Sequence, residues 1–156
     1  MKTIKIFLAS SGLLIEDRKL FEIHVYRKTK LWVEEGIFPR LEIWEDSISA
    51  MSPTRSQDEY NKLIRECDIF VVLVHTKVGN FTHEEFIAAQ GQFQARRKPF
   101  IFTYFKQVQA TDSQSDDDKT SVSKFKESNS ATLGISTPAF QILPSCGCTS
   151  TINSIC

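Results

Sequence analysis

The sequence predicts an α/β fold built on a doubly wound, mostly parallel sheet. Segments with strand character alternate with segments of helical periodicity over the first two-thirds of the 156 residues, as in strands joined by crossover helices. The segment DIFVVLV, residues 68–74, is apolar at every position after its aspartate. Such a strand is typical of a parallel sheet with helices on both faces. A chain of this length has room for one domain with a substantial core.

The first strand and helix are predicted from the pattern of apolar side chains. Residues 4–9 are mostly apolar, with the β-branched and aromatic side chains that favour a strand. An apolar stripe then recurs at spacings of seven, four and seven residues, as on one face of a helix, at Leu14, Phe21, Val25 and Trp32. Gly36 and Pro39 predict where that helix stops. A short second strand is expected at residues 41–44.

The remaining elements repeat the alternation. Ser56 to Glu59 has the spacing of a helix capping box. The short helix that it begins has an apolar side at Tyr60, Leu63, Ile64 and Cys67. Residues 68–74 form the third predicted strand. A longer helix is expected from Thr82, and its predicted buried side chains are Phe86, Ala89 and Phe93. A fourth strand follows at FIFTYF, residues 100–105.

The last third of the chain departs from this pattern. Residues 107–127 are polar and partly acidic, which predicts a loop or linker after a domain of residues 1–106. Residues 128–156 contain no Asp, Glu, Lys or Arg and hold three of the four cysteines. A disordered tail is normally charged. The segment 128–156 is therefore interpreted either as disordered or as the product of a reading-frame shift near Ser128.

The frame-shift hypothesis makes its own sequence prediction. If each codon's third base is read with the next two, the stretch from Asn129 onward can spell LGHFRDINTRISDFAILRLHFYNQLD, which has charges and an amphipathic helical period. The predicted sheet still needs a last strand and a closing helix, and the tail as it stands resembles neither. On this hypothesis the chain lacks both elements. A stop codon early in the alternative frame of the coding DNA would overturn the hypothesis.

Composition excludes several classes of protein. Lys plus Arg and Asp plus Glu each number 19, so no net field favours nucleic acid or an anionic membrane as a partner. The chain opens directly into a strand without the pattern of a signal peptide, and no apolar run reaches the length of a membrane span. No His, Cys and Asp cluster has metal-ligand spacing, and the one Cys-Gly-Cys is too weak a pattern to indicate a metal or redox site. A reduced, cytoplasmic protein without a bound metal is expected.

Candidate ligand-binding residues follow from the fold class. In open parallel sheets, ligands bind outside the carboxyl ends of the strands. The residues at those predicted ends are Ser10 and Ser11, Trp44 to Asp46, His75 to Lys77, and Tyr104 with Phe105. His75 is interpreted as structural despite its position.

Glu84 and Glu85 lie near the start of the helix that follows the third strand, and they allow two interpretations. Thr82 and Glu85 have the spacing of a capping box, in which Glu85 bonds the Thr82 amide, and acidic residues suit the first turn of a helix. The same helix start lies near the carboxyl edge of the sheet, where a catalytic carboxylate would be placed. The residues alone leave the two interpretations about even.

Five stretches within residues 3–106 carry a family resemblance: IKIFLASS, LEIWED, MSPTRSQDEYNKLIRECDIFVVLV, TKVGNFTHEEF and GQFQARRKPFIFTYFK. Together they resemble a Toll/interleukin-1 receptor (TIR) domain of the bacterial antiphage type, as found fused to STING-like sensors. The resemblance implies a flavodoxin-like fold and cleavage of NAD+ at the nicotinamide–ribose bond by one glutamate early in the helix after the third strand. The family's spacing is matched by Phe81, Glu85, Phe86 and Ala89. It therefore implies Glu85, rather than Glu84, as the catalytic residue.

The resemblance also implies a binding site and partners. The nucleotide site would be lined by Ser10, Ser11, Trp44, Asp46 and Arg55, with NAD+ as substrate and no cofactor. Each of these residues also has an ordinary structural interpretation, as a turn, core, cap or solvated loop residue. The family further implies activation by self-association through TIR–TIR contacts, a role in antiphage defence, and a C-terminal cyclic-dinucleotide sensor domain that this chain lacks.

A single carboxylate suits the implied reaction. Nicotinamide leaves a cationic ring as a neutral molecule, so its departure needs little acid, and positive charge develops on the ribose as in other glycoside hydrolyses. A poorly solvated anion beside that sugar stabilises the transition state more than the ground state. Two alternatives stay open: a nucleoside deoxyribosyltransferase-like enzyme with a glutamate nucleophile, and a non-catalytic TIR adaptor. A frame-shifted tail would make this chain an inactive truncation.

Overall fold

The computed structural model describes residues 1–43, 57–133 and 139–140. The strands in this part of the chain are β1 (Lys2–Ser10), β2 (Ile37–Ile43), β3 (Ile69–Val74), β4 (Phe100–Lys106) and β5 (Ala139–Phe140). The α-helices are α1 (Ile15–Glu34), α2 (Gln57–Glu66), α3 (Asn80–Arg96) and α4 (Asp116–Leu133). A turn of 3₁₀ helix, Gly12–Leu14, joins β1 to α1. Among these described helices, none is both long enough and apolar enough to cross a membrane.

The strands form one parallel sheet in the order β2-β1-β3-β4-β5. This is the strand order of flavodoxin-like folds, and it confirms the predicted doubly wound α/β class. β1 lies inside the sheet, with Ile6 opposite Leu41 of β2 on one side and Ile69 of β3 on the other. β5 is two residues long and pairs Ala139 with Phe105. The prediction that the chain lacks a last strand is therefore wrong, because these two residues form one.

The two faces of the sheet carry separate cores because successive side chains of a strand point to opposite faces. α1 covers one face, where its Phe21 and Val25 pack with Leu8. The helices α2, α3 and α4 cover the other. The buried residues that they contribute there are Ile64, Phe86, Ala89, Val122 and Phe125, and Cys67, directly after α2, joins them. The central strand β3 is buried on both sides, as its apolar sequence predicts.

The second strand is longer than predicted. β2 runs from Ile37 to Ile43 and includes Pro39, which pairs with Ile4 of β1. Proline has no amide hydrogen to donate to a neighbouring strand. It is tolerated here because β2 lies at an edge of the sheet. Gly36, with a φ of 79°, provides the left-handed residue between α1 and β2. The proline therefore belongs to the strand, and the glycine alone marks the end of the helix.

The loop or linker predicted at residues 107–127 is wrong from Asp116 onward, because α4 begins there and continues to Leu133. Ser115 and Asp118 form a reciprocal cap: the Asp118 amide donates to Ser115 Oγ and the Ser115 amide donates to Asp118 Oδ2, each at 3.1 Å. The helix also continues through the start of the predicted tail, and Asn129 is 2% exposed. Residues 141–156 lie outside the described part of the chain, so the frame-shift hypothesis stays a hypothesis.

The capping box predicted at Thr82 is also wrong. α3 begins at Asn80, and its N-cap is Gly79, which has an extended conformation and no side chain to accept a hydrogen bond from the first turn. The His83 amide donates to the Gly79 carbonyl at 3.0 Å, so Thr82 is already inside the first turn and is buried. Glu85 therefore does not close a capping box with Thr82. The second predicted box, from Ser56 to Glu59, falls on side chains outside the described part.

Candidate functional site at the carboxyl edge of the sheet

The polar turn after β1 is held by a buried arginine. Arg18, in the first turn of α1, is 2% exposed. Its Nη1 donates to Ser10 Oγ at 2.7 Å and to the Ser11 carbonyl oxygen at 2.9 Å. Ser10 is the last residue of β1, and Ser11 precedes the 3₁₀ turn. The two serines predicted as ligand-binding residues thus lie together at the carboxyl edge, in a backbone conformation that a charged donor fixes.

Arg18 was not among the predicted site residues, although the sequence contains a signal for it. The apolar stripe of α1 has a gap of seven residues between Leu14 and Phe21, and Arg18 lies four residues after the first and three before the second. A side chain at that spacing points to the same face as the stripe. A basic residue in a first turn also opposes the helix dipole. A charged residue in the first turn of a helix, on the face of its apolar stripe, therefore indicates a buried side chain with hydrogen-bond partners.

Glu85 is buried and Glu84 is not. Glu85 lies in the second turn of α3 with 9% of its surface exposed, whereas its neighbour Glu84 is exposed. On α3, Phe86 and Ala89 face the sheet with no exposed surface. Phe81, one turn before Glu85, is 70% exposed. The arrangement is a carboxylate removed from bulk water, near an exposed aromatic ring on the same side of the helix.

The direction of Glu85 follows from its neighbours on α3. His83 lies on the flank that faces α4, because its ring centroid is 6.4 Å from that of Phe125. Residues two apart on a helix point about 160° away from each other. Glu85 therefore points to the opposite flank, the side on which α3 meets α2 and β1. That is the side of the sheet edge that carries Ser10 and Ser11.

The structure therefore brings three of the six predicted site residues to one edge of the sheet. The carboxyl end of β1 carries Ser10 and Ser11, and the helix after the neighbouring strand β3 carries Glu85. Trp44, Asp46 and Arg55 lie outside the described part of the chain. Tyr104, another strand-end candidate, belongs instead to the core on the α1 face, where burial raises its pKa to about 12.

A cleft of about 530 Å³ lies at the same edge, between β4 and α4. His75, after β3, lines it, and His75 Nε2 is 3.1 Å from Asp112 Oδ2. A hydrogen bond from the Gln109 amide, supported by the neighbouring His75, lowers the pKa of Asp112. This pair joins the end of β3 to the loop after β4, in agreement with the structural interpretation of His75. Because α4 and Glu85 are on opposite flanks of α3, the cleft is separate from the Glu85 side.

The one cysteine in the described residues has the environment of a core residue. Cys67 is 4% exposed, and its Sγ donates to the Ile64 carbonyl at 3.2 Å. Burial is the main cause that raises the pKa of this thiol to about 12. A thiol with so little thiolate at neutral pH is a poor nucleophile. Within the described residues, no group of three or more His, Cys, Asp or Glu side chains is arranged to hold a metal ion.

Comparison with known proteins adds a likeness of fold. No protein-family model matches this chain, and no curated protein matches it. Among solved structures the chain is similar to BcmB, a CMP N-glycosidase from Clostridium botulinum, with a TM-score of 0.50 and 15% sequence identity. The match covers 87% of this chain and 88% of the other. At this level of identity the likeness shows a shared α/β fold alone.

Proposed function

We propose that this protein is a nucleotide N-glycosidase that hydrolyses NAD+ at the nicotinamide–ribose bond, with Glu85 as its catalytic residue. The observation that carries the proposal is the burial of Glu85, 9% exposed, at the carboxyl edge of a parallel sheet. The N-cap of α3 is Gly79, so the capping box predicted from Thr82 to Glu85 does not form the start of this helix. The resemblance to NAD+-cleaving TIR domains supports the choice of substrate, and the fold shared with a CMP N-glycosidase is consistent with this class of reaction.

The reaction needs little from the protein beyond position and charge. The bond between ribose C1′ and the nicotinamide nitrogen breaks, and its electron pair goes to the ring, which leaves as neutral nicotinamide. The ribose carries the positive charge that develops, and the Glu85 carboxylate stabilises it more strongly because little water competes at a buried site. Water then adds at C1′ and loses a proton to solvent. The products are nicotinamide, ADP-ribose and one proton.

The turn after β1 is assigned to substrate binding. Ser10 and Ser11 lie at the edge where ligands of such sheets bind. Arg18 holds that turn through Ser10 Oγ and the Ser11 carbonyl, so we assign it a positioning role. Trp44, Asp46 and Arg55 remain proposed members of the nucleotide site on the strength of the family resemblance.

Self-association is the proposed means of activation, again on the strength of that resemblance, with antiphage defence as the proposed setting. An enzyme of this kind has a specific activity that rises with protein concentration. Measuring nicotinamide release over a hundredfold dilution series, beside the molecular mass in solution, tests this part. A constant specific activity from a monomer would contradict activation by assembly and would leave the Glu85 chemistry untouched.

The experiment that tests the chemistry compares Glu85→Gln with Glu84→Gln on NAD+. Both substitutions remove one negative charge from adjacent positions while keeping the shape of the side chain. We expect Glu85→Gln to lower nicotinamide release by roughly 10²- to 10³-fold, the loss seen when one electrostatic contact to a transition state is removed. Glu84→Gln should stay close to the parent. Equal activity of the parent and Glu85→Gln would overturn the proposal. If the protein released a base from CMP or from a deoxynucleoside but no nicotinamide from NAD+, the substrate would be that nucleotide or nucleoside and not NAD+.

A further inference from the structure

We propose that the cleft between β4 and α4 is a second ligand site, which binds a small organic phosphate whose ring contacts an apolar wall. The proposal is independent of the reaction assigned to Glu85. Three lysines and one histidine line the cleft, namely His75, Lys106, Lys119 and Lys126, and among the described residues that line it none is an aspartate or glutamate. Its volume of about 530 Å³ suits one small molecule.

Lys126 is the cation that is best placed to meet an anion. Its Nζ lies 4.9 Å from the centroid of the Phe105 ring, within the range of a cation–π contact. Within the described residues, no carboxylate lies within ion-pair distance of this ammonium group. Lys126 is also exposed, so it can approach a phosphate without disturbing the core. A phosphate in the cleft would receive hydrogen bonds from a charged donor.

The other two lysines differ in how firmly they are paired. Lys106 Nζ is 3.0 Å from Asp17 Oδ2, and the Asp17 side chain is only 7% exposed. Because this ion pair has a buried partner, Lys106 stays with Asp17 and does not turn to a phosphate. Lys119 pairs with Asp116 at 2.9 Å, but that carboxylate is 97% exposed. Exposed pairs of this kind contribute little to stability. Lys119 can therefore turn to a phosphate at little cost and act beside Lys126.

The wall of the cleft determines the rest of the ligand. Phe105 and Val122 line it from β4 and α4 and are largely buried, whereas Val108 is 41% exposed. The apolar wall offers contact area that free phosphate cannot use. A planar ring attached to the phosphate would bury against this wall and gain affinity in proportion to the area removed from water. A nucleoside monophosphate has this combination of charge, ring and size.

The site is tested by calorimetric titration of the full chain with three probes: adenosine monophosphate, adenosine and inorganic phosphate. We expect adenosine monophosphate to bind at least about tenfold more tightly than either fragment, because each fragment lacks one of the two contacts. The Lys126→Gln variant should weaken that binding by about tenfold or more, the typical value of a charged hydrogen bond. The matched control is Lys124→Gln, an exposed lysine on the same helix that does not line the cleft.

A parallel titration of Glu85→Gln separates this site from the catalytic one. The proposal expects full binding of adenosine monophosphate by Glu85→Gln and unchanged nicotinamide release by Lys126→Gln. Binding that is kept in Lys126→Gln but lost in Glu85→Gln would place the nucleotide at the catalytic site and overturn the proposal. So would inorganic phosphate that binds as tightly as the nucleotide, or no measurable binding of the nucleotide at all.

Discussion

Arg18 and Ser10 form a buried hydrogen bond of 2.7 Å that joins the start of α1 to the end of β1. The same guanidinium nitrogen donates to the Ser11 carbonyl at 2.9 Å, so one side chain fixes both residues of the turn. If this turn binds the substrate, its geometry depends on a group that lies beneath it in the core. A positioning residue of that kind should affect substrate binding more than the chemical step.

Replacing Arg18 with methionine tests this role. Methionine fills similar space but donates no hydrogen bond, and hydrogen bonds from charged donors are worth about 1.5–3 kcal/mol. We expect Arg18→Met to raise the KM for NAD+ by about tenfold or more while kcat changes much less. The control is Lys19→Met, the neighbouring position, where the lysine side chain is 61% exposed and pairs with Glu16. An unchanged KM in a folded Arg18→Met protein would show that the turn does not depend on this arginine.

Removing the Phe125 side chain tests whether α4 belongs to the core. Phe125 is 2% exposed, and its ring lies 4.5 Å from the ring of Phe86 on α3. Truncation of a buried phenylalanine leaves a cavity and costs about 3–5 kcal/mol. We expect Phe125→Ala to lower the free energy of unfolding in urea by that amount, whereas Lys124→Ala, on the exposed side of the helix, should cost much less. Equal stability of the two variants would mean that α4 is not packed on the sheet.

Asp68 gives the stability of the fold a predictable dependence on pH. Burial by itself raises the pKa of Asp68, but hydrogen bonds from Lys98 Nζ at 2.8 Å and the Lys5 amide at 3.0 Å outweigh it and lower the pKa overall. A lowered folded-state pKa means that the stabilisation is complete above the unfolded-state value of about 3.9 and is lost as the pH falls through the folded-state value.

Asp68→Asn should therefore lower the Tm at pH 7, and the difference from the parent should shrink as the pH falls below about 4. Thermal unfolding followed by circular dichroism between neutral and acid pH measures this difference. The control is Asp116→Asn, whose carboxylate is 97% exposed and should give a much smaller effect at every pH. A Tm difference that persists undiminished at low pH would contradict the linkage.

Arg97 offers a stabilising substitution. This residue is the C-cap of α3 and has φ 59° and ψ 22°, in the left-handed region, while its amide donates to the Phe93 carbonyl at 2.8 Å. A residue with a Cβ is strained there by roughly 1 kcal/mol, and glycine is not. We expect Arg97→Gly to raise the free energy of unfolding by about 0.5–1 kcal/mol. Arg96→Gly, one residue earlier and inside the helix, should be destabilising, and the opposite order would contradict the assignment.

The sheet could be predicted from the sequence because its strands are apolar and its helices are periodic. Residues 68–74 are long and apolar enough to read as a buried strand, and the α1 stripe is regular. The helix α4 was not predicted because its sequence is mostly polar. Val122 and Phe125 are the buried apolar residues in its described part, too few to give a visible helical period. Its cap, Ser115 with Asp118, was the available signal.

The candidate site was predictable only in part. The carboxyl-edge rule and the family resemblance selected Ser10, Ser11 and Glu85. Arg18 was missed because a charged residue is normally assumed to face solvent, and its burial depends on a tertiary contact with the turn after β1. The Thr82 box matched a local pattern, but the extended Gly79 starts the helix earlier. Local spacing alone does not show where a helix begins.

The strand order β2-β1-β3-β4-β5 also bears on how the chain is assembled during synthesis. Once β1 and β2 have paired, every later strand joins the same growing border of the sheet, and it does so in the order in which the ribosome releases it. β3 pairs with β1, and β4 and β5 each pair with the strand completed just before them. Among the described strands, none has to be inserted between two that have already paired. We therefore expect the nascent chain to become resistant to protease in steps, one for each strand–helix unit released, rather than in a single event after the chain is complete.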